Sequence, residues 1–269
     1  MRRLKLVTGL SAIALGAASL GGCGEGEGES AAKAQKGATA PSGEGEGGEG
    51  EGSEGEGEGA ATATDKASYL SQLMMLRGHL KAGGLLYASG DSTLAAAHMK
   101  HPHDELYASL KPAMESFGAQ SFDGQLTAMA SAVEGGQPSD AVDRTFASVR
   151  EAVESASAAS APTIKDTLLA AALTLRQAGA EFDAGVEGGA IVNAKEYQDA
   201  YGFVATVVEI LGTIEGAGPA EKEAVALARE QAALALAALP SIAPEAPLGY
   251  ASTLYGAAAR VEITAMALE

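Results

Sequence analysis

The chain has a single cysteine, Cys23, and no tryptophan, with only twelve Tyr and Phe residues in 269. One cysteine excludes an intramolecular disulfide framework, and the scarcity of aromatic and β-branched residues against abundant Ala and Leu argues against sheets and for helices. Basic residues are few as well, 18 Lys and Arg against 35 Asp and Glu, for a formal charge of −17. Such an acidic chain is a poor partner for nucleic acid or for an anionic lipid surface. Signals for catalysis are also missing. There is no Gly-x-Ser-x-Gly elbow, no phosphate loop and no His-Glu-x-x-His, so the expectation is that the chain is not an enzyme.

One apolar run stands out, from Leu6 to Leu20, after the positive start made by Arg2, Arg3 and Lys5. It has the length of a signal-peptide core and is too short to span a bilayer. It ends in Leu20-Gly21-Gly22-Cys23, which resembles the lipobox of bacterial lipoprotein precursors. The resemblance implies a signal peptide over 1–22, lipidation at Cys23, and attachment to a membrane through acyl chains such as palmitate, two or more of which give stable anchoring. Gly24 follows the cysteine in place of the aspartate that favours inner-membrane retention, so the resemblance implies the periplasmic face of the outer membrane.

Residues 23–64 hold the cysteine expected to be lipidated and then mostly Gly, Glu, Ser, Ala and Thr, with Glu-Gly alternation in Gly43–Gly59. With no Val, Ile, Leu, Met, Phe or Tyr after Cys23, the segment cannot bury enough apolar surface to offset ordering entropy, so it is expected to be a disordered tether reaching roughly 35 Å. The folded part is expected at 65–269, with 13 Lys and Arg against 25 Asp and Glu.

In that part apolar residues recur at helical spacing between Gly, Pro and Ser/Thr/Asp punctuation. The pattern predicts an all-α antiparallel bundle with helices over 66–89, 92–100, 103–117, 121–134, 139–158, 163–185, 194–213, 219–238 and 247–267. Ser139 and either Ser160 or Thr163 are expected caps, and Pro102 and Pro247 expected helix starts. An offset of about 94 residues brings Tyr87, Gly90, Tyr107 and Gly118 near Phe182, Gly185, Tyr201 and Gly212. This is read as an internal duplication with halves 65–160 and 161–269.

All four histidines, His79, His98, His101 and His103, fall in the first half, and so do five of the seven methionines. His98 and His101 share a helix face, while His103, Asp104 and Glu105 follow at what reads as a corner after Pro102. Imidazole with thioether suits copper, imidazole with carboxylate suits zinc or iron, and a His/Met pair can ligate haem. The expected metal ligands are His98, His101, His103, Asp104 and Glu105, with His79 in reserve. The alternative is that the same residues serve helix dipoles and the methionines fill core gaps.

The stretch Ile191 to Phe203, with Phe182 and Gly185 ahead of it, resembles helical segments in the periplasmic part of bacterial iron permeases. The run from His98 to Tyr107 is similar to helical iron-uptake lipoproteins of the imelysin type, but lacks their His-x-x-Glu motif, since His101 is followed by Asp104. The resemblances imply a periplasmic binding lipoprotein that handles iron, copper or haem beside a metal transporter. A structural or partner-binding lipoprotein is the second reading, and a metal-dependent hydrolase the third.

Overall fold

A computed structural model describes residues 65–102, 106–245 and 248–269, with only the backbone of His101. Cys23 and the Gly/Glu tract lie outside the described residues, as do His103, Asp104, Glu105 and Pro247. The described chain is all-α apart from one short hairpin. Its elements are α1 (Lys66–Ser89), α2 (Ser92–His101), α3 (Tyr107–Ser116), α4 (Asp123–Glu134), α5 (Ser139–Ala159), α6 (Ile164–Gly185), β1 (Val186–Glu187), β2 (Ala190–Ile191), α7 (Ala194–Thr213), α8 (Pro219–Ala237) and α9 (Ser252–Met266).

The punctuation acts as helix chemistry requires at most ends. Asp65, where the composition changes, caps α1 by accepting from the amides of Ala67 and Ser68, and Gly90 ends that helix in the left-handed conformation at φ 93°. Thr163 caps α6 in a reciprocal box: its Oγ1 accepts from the Asp166 amide at 3.1 Å, and its own amide donates to Asp166 Oδ2 at 2.9 Å. Ser139 is not a cap. Pro138 takes the N-cap position of α5, and no side chain closes that end.

Two further expectations are corrected, and one element appears where none was expected. First, α2 runs through His101, and Pro102 is itself right-handed helical at φ −58°, ψ −32°. The φ that proline fixes is already the helical one, so its ring does not force a break there. Second, α9 begins at Ser252 instead of Pro247. Ahead of it the Leu248 amide donates to the Gly189 carbonyl at 2.9 Å, which holds this segment against the hairpin. Third, 186–191 is a hairpin. Its turn residues Gly188 and Gly189 both have positive φ, 59° and 82°, the conformation that a tight two-residue hairpin turn needs.

Helices α6, α7, α8 and α9 close a ring in which each packs on the next, with α9 returning to α6. In the first half α1, α2, α4 and α5 follow the same cyclic order, with α5 returning to α1. Helix α1 also lies along α6 and α7, so one continuous apolar core runs through both halves.

The α1–α7 crossing is backbone on backbone. A Cβ placed on Gly202 would stand 2.3 Å from the Gly78 carbonyl oxygen, and one on Gly78 would stand 2.5 Å from Phe203 Cδ1. Only glycine allows this approach, and neither helix can yield without moving its neighbours. Gly202→Ala should therefore destabilise the protein by about 1–3 kcal/mol. In a domain of roughly 200 residues that lowers Tm by about 2–4 °C per kcal/mol. Gly212→Ala on the same helix meets nothing within 4 Å, and should leave Tm unchanged or raise it slightly. Thermal unfolding of the two variants checks the contrast.

Candidate metal centre

The α1–α7 crossing sets the positions of several polar side chains in the core. Just past Gly78 comes His79, and one turn before Gly202 and Phe203 come Gln198 and Asp199. From α2, His98 meets them. The four are almost fully shielded from solvent, with exposures of 0% for His79, 3% for His98 and Gln198, and 6% for Asp199. Their neighbours along α7, Tyr197, Ala200, Phe203 and Val204, are equally buried and apolar, so the polar group sits in a setting that cannot solvate it.

It solvates itself. Asp199 Oδ1 lies 2.5 Å from His79 Nδ1 and 2.9 Å from His98 Nδ1, accepting from both rings. His98 Nε2 lies 2.8 Å from Gln198 Oε1. Both His98 nitrogens therefore contact side-chain oxygens of α7. The edge of Phe203 packs against the His79 ring, with centroids 4.8 Å apart and planes at 86°. Burial alone would push the Asp199 carboxyl up. The charge of His79 and the hydrogen bonds from His79 and His98 outweigh it and hold the group well below the usual carboxylate range.

One donor atom from each of His79, His98 and Asp199 falls within 4.8 Å of the others. Two imidazoles and a carboxylate are the donor set of non-haem Fe(II) sites and also suit zinc. Adjacent donors on one ion at ~2.1 Å stand roughly 3 Å apart. The His98–Asp199 separation already matches that value, and the His79–Asp199 contact needs to open by only a few tenths of an ångström. The three donor atoms lie within 4.8 Å of one another, so a cation replacing the two Nδ1 protons would draw the imidazoles in around it, with Gln198 holding the far nitrogen of His98.

Of the residues expected from sequence, the structure brings together His98 and His79, the latter expected in reserve. His101 lies on α2, one helical turn beyond His98, and His103, Asp104 and Glu105 fall outside the described residues. Asp199 and Gln198 were not expected. Their signal was present in the sequence, because a carboxylate in the middle of the apolar stripe Tyr197, Ala200, Phe203, Val204 and Val207 must find a buried partner. Met99, next to His98, fills a gap in the core over Gly83.

Residues 168–265 match the family model of the iron permease-associated 4-helix bundle domain. No curated protein and no solved structure matches the chain. The matched bundle covers nearly all of the α6–α9 ring and contains the Ile191–Phe203 stretch whose resemblance pointed to iron permeases. It supplies Gln198 and Asp199 to the buried group, whereas His79 and His98 come from the half that lies outside the match. Among the described residues no helix is long and apolar enough to cross a membrane.

Because the folded carboxyl of Asp199 lies below its unfolded value near pH 3.9, the native state favours the ionised form. That stability is fully present above about pH 5 and is lost as pH falls through the unfolded value towards the folded one. In chelator-treated protein Asp199→Asn should cost about 3 kcal/mol at pH 7, and the gap to wild type should narrow below about pH 4. Urea unfolding at a series of pH values measures it; a gap that stays constant down to pH 3 would contradict the pairing.

Proposed function

We propose that the protein is a lipid-anchored component of the bacterial envelope that binds a transition metal, iron foremost, at His79, His98 and Asp199, and serves an iron permease. The observation that carries this reading is the convergence of two imidazoles and a carboxylate from three helices at one buried point. Three supports stand beside it: the bundle's likeness to an iron permease-associated domain, the permease-like stretch that contains Asp199, and the resemblance of Leu20-Gly21-Gly22-Cys23 to a lipobox ahead of a Gly/Glu-rich segment. The tether would give the domain reach over the periplasmic face of the membrane, and the outer membrane is the expected attachment.

In this reading the metal is cargo. The chain contributes a site whose proton and metal forms exclude one another. Without the ion, Asp199 is neutralised by the two imidazole N–H groups; with it, those protons leave and the ion takes over the neutralisation. Gln198 fixes the His98 ring, and the edge of Phe203 packs against His79. The run of His101, His103, Asp104 and Glu105 follows His98 in sequence and is where this reading looks for further ligands. Copper and haem are competitors that the donor set ranks behind iron and zinc, because neither a thioether nor a pair of axial ligands is needed to explain it.

One observation favours a structural reading. The contacts at 2.5 and 2.9 Å form a closed set of hydrogen bonds that ties α1 and α2 to α7 with no ion. Metal uptake separates the two. Calorimetry on chelator-stripped full chain with anaerobic Fe(II), Zn(II) and Cu(II) should show about one ion per chain and proton release on binding. Affinity should fall below about pH 6.5 as imidazoles take up protons. His79→Ala, His98→Ala and Asp199→Asn should each weaken binding at least about tenfold, roughly 1.4 kcal/mol, and substitutions at His101, His103, Asp104 and Glu105 measure the corner's share. If wild type takes up no ion, or the triple variant binds as wild type does, the structural reading holds.

A further inference from the structure

Away from the buried polar group, a cleft opens between α1, α5 and α7. Its main cavity measures about 530 Å³, within the range of small-molecule sites, and a smaller one of about 150 Å³ adjoins it. The two share Arg77, Val153, Arg150 and Glu209. The lining is apolar, with Leu73, Met74, Val153, Ile210 and Ile214. The hydroxyls beside it are already engaged. Ser157 donates to Val153 O, Thr167 to Thr163 O and Thr213 to Ile210 O, at 2.9, 3.0 and 2.8 Å. These three side chains are left with no hydrogen to offer a polar ligand body, which favours an apolar chain in the cleft.

The charges at the rim decide what sits at its end. Arg77, Lys81 and Arg150 face Glu154 and Glu209, a cationic excess in a chain of net charge −17. Both carboxylates are taken: Glu154 pairs with Arg77 at 3.1 Å, while Glu209 pairs with Arg77 at 3.3 Å and with Lys81. Among the described residues Arg150 has no acidic partner, and it borders both cavities. A lone guanidinium beside an apolar slot is complementary to an amphiphile with one negative end.

We infer that this cleft binds a long-chain fatty acid, with the alkyl tail over Leu73, Met74, Val153 and Ile210 and the carboxylate on Arg150. The acyl chains of a lipid anchor are ester- or amide-linked and carry no such charge, so the free acid is the better complement.

Titration calorimetry on the purified full chain in detergent-free buffer tests this with laurate and dodecanol as probes. Laurate should bind at about one per chain and roughly tenfold more tightly than dodecanol, the worth of one charge-assisted contact, about 1.4 kcal/mol. Arg150→Gln and Arg150→Glu should remove that difference while leaving dodecanol binding unchanged. Arg150 is exposed and unpaired among the described residues, so neither variant should alter Tm. Thr213→Trp, which places an indole at the exposed lip, should weaken both probes. Equal affinity for laurate and dodecanol, laurate binding that survives Arg150→Glu, or no binding of either probe would each overturn the inference.

Discussion

A carboxylate that is 6% exposed in the middle of an apolar helix face is the constraint on which this structure turns. Left uncompensated, an ionised Asp199 would cost several kcal/mol. Its neutralisation comes from other helices, from His79 on α1 and His98 on α2. The His79 ring reaches it where Gly78 and Gly202 let α1 and α7 approach to backbone contact. Burial, helix approach and charge pairing are therefore one requirement expressed at three levels. The same geometry makes the point suited to a cation: a carboxylate whose compensation is two titratable N–H groups can exchange those protons for a metal.

The helices were legible in the sequence because their signals are local. Asp65, Gly90, Thr163 and the apolar periodicity mark ends that the structure places within a residue or two for most elements. What was not legible was decided at a distance. The delay of α9 to Ser252 depends on the hairpin turn at Gly189, which lies about 60 residues earlier and gives Leu248 a hydrogen-bond partner. The candidate site was half legible for the same reason. Clustering of histidines pointed to His98 and His79, while Asp199 is about 100 residues from His98 and is recognisable only as a charge on a face that has to be buried. Reading α7 for misplaced polarity would have found it.

The two halves take different parts in the molecule. The α6–α9 ring matches a known bundle domain and supplies the acid and amide of the buried group, whereas the first half repeats the ring order with shorter helices and supplies the imidazoles. The buried group is thus built at the seam between them, where α1 faces α6 and α7. The open cleft lies along the same helix on another face, bordered by α5. Helix α1 accordingly carries a His79 side directed at charge and an Arg77 side bordering an apolar slot, so two chemistries are separated by the width of one helix.

The central claim is that His79, His98 and Asp199 take a metal as a unit, and X-ray absorption at the iron edge of the Fe(II)-loaded full chain tests it most directly. The account predicts a first shell of nitrogen and oxygen at roughly 2.0–2.2 Å with outer-shell scattering from two imidazoles, and loss of that scattering when His79 and His98 are both replaced by Ala. An oxygen-only shell in the wild type, or an unchanged spectrum in the double variant, would contradict it.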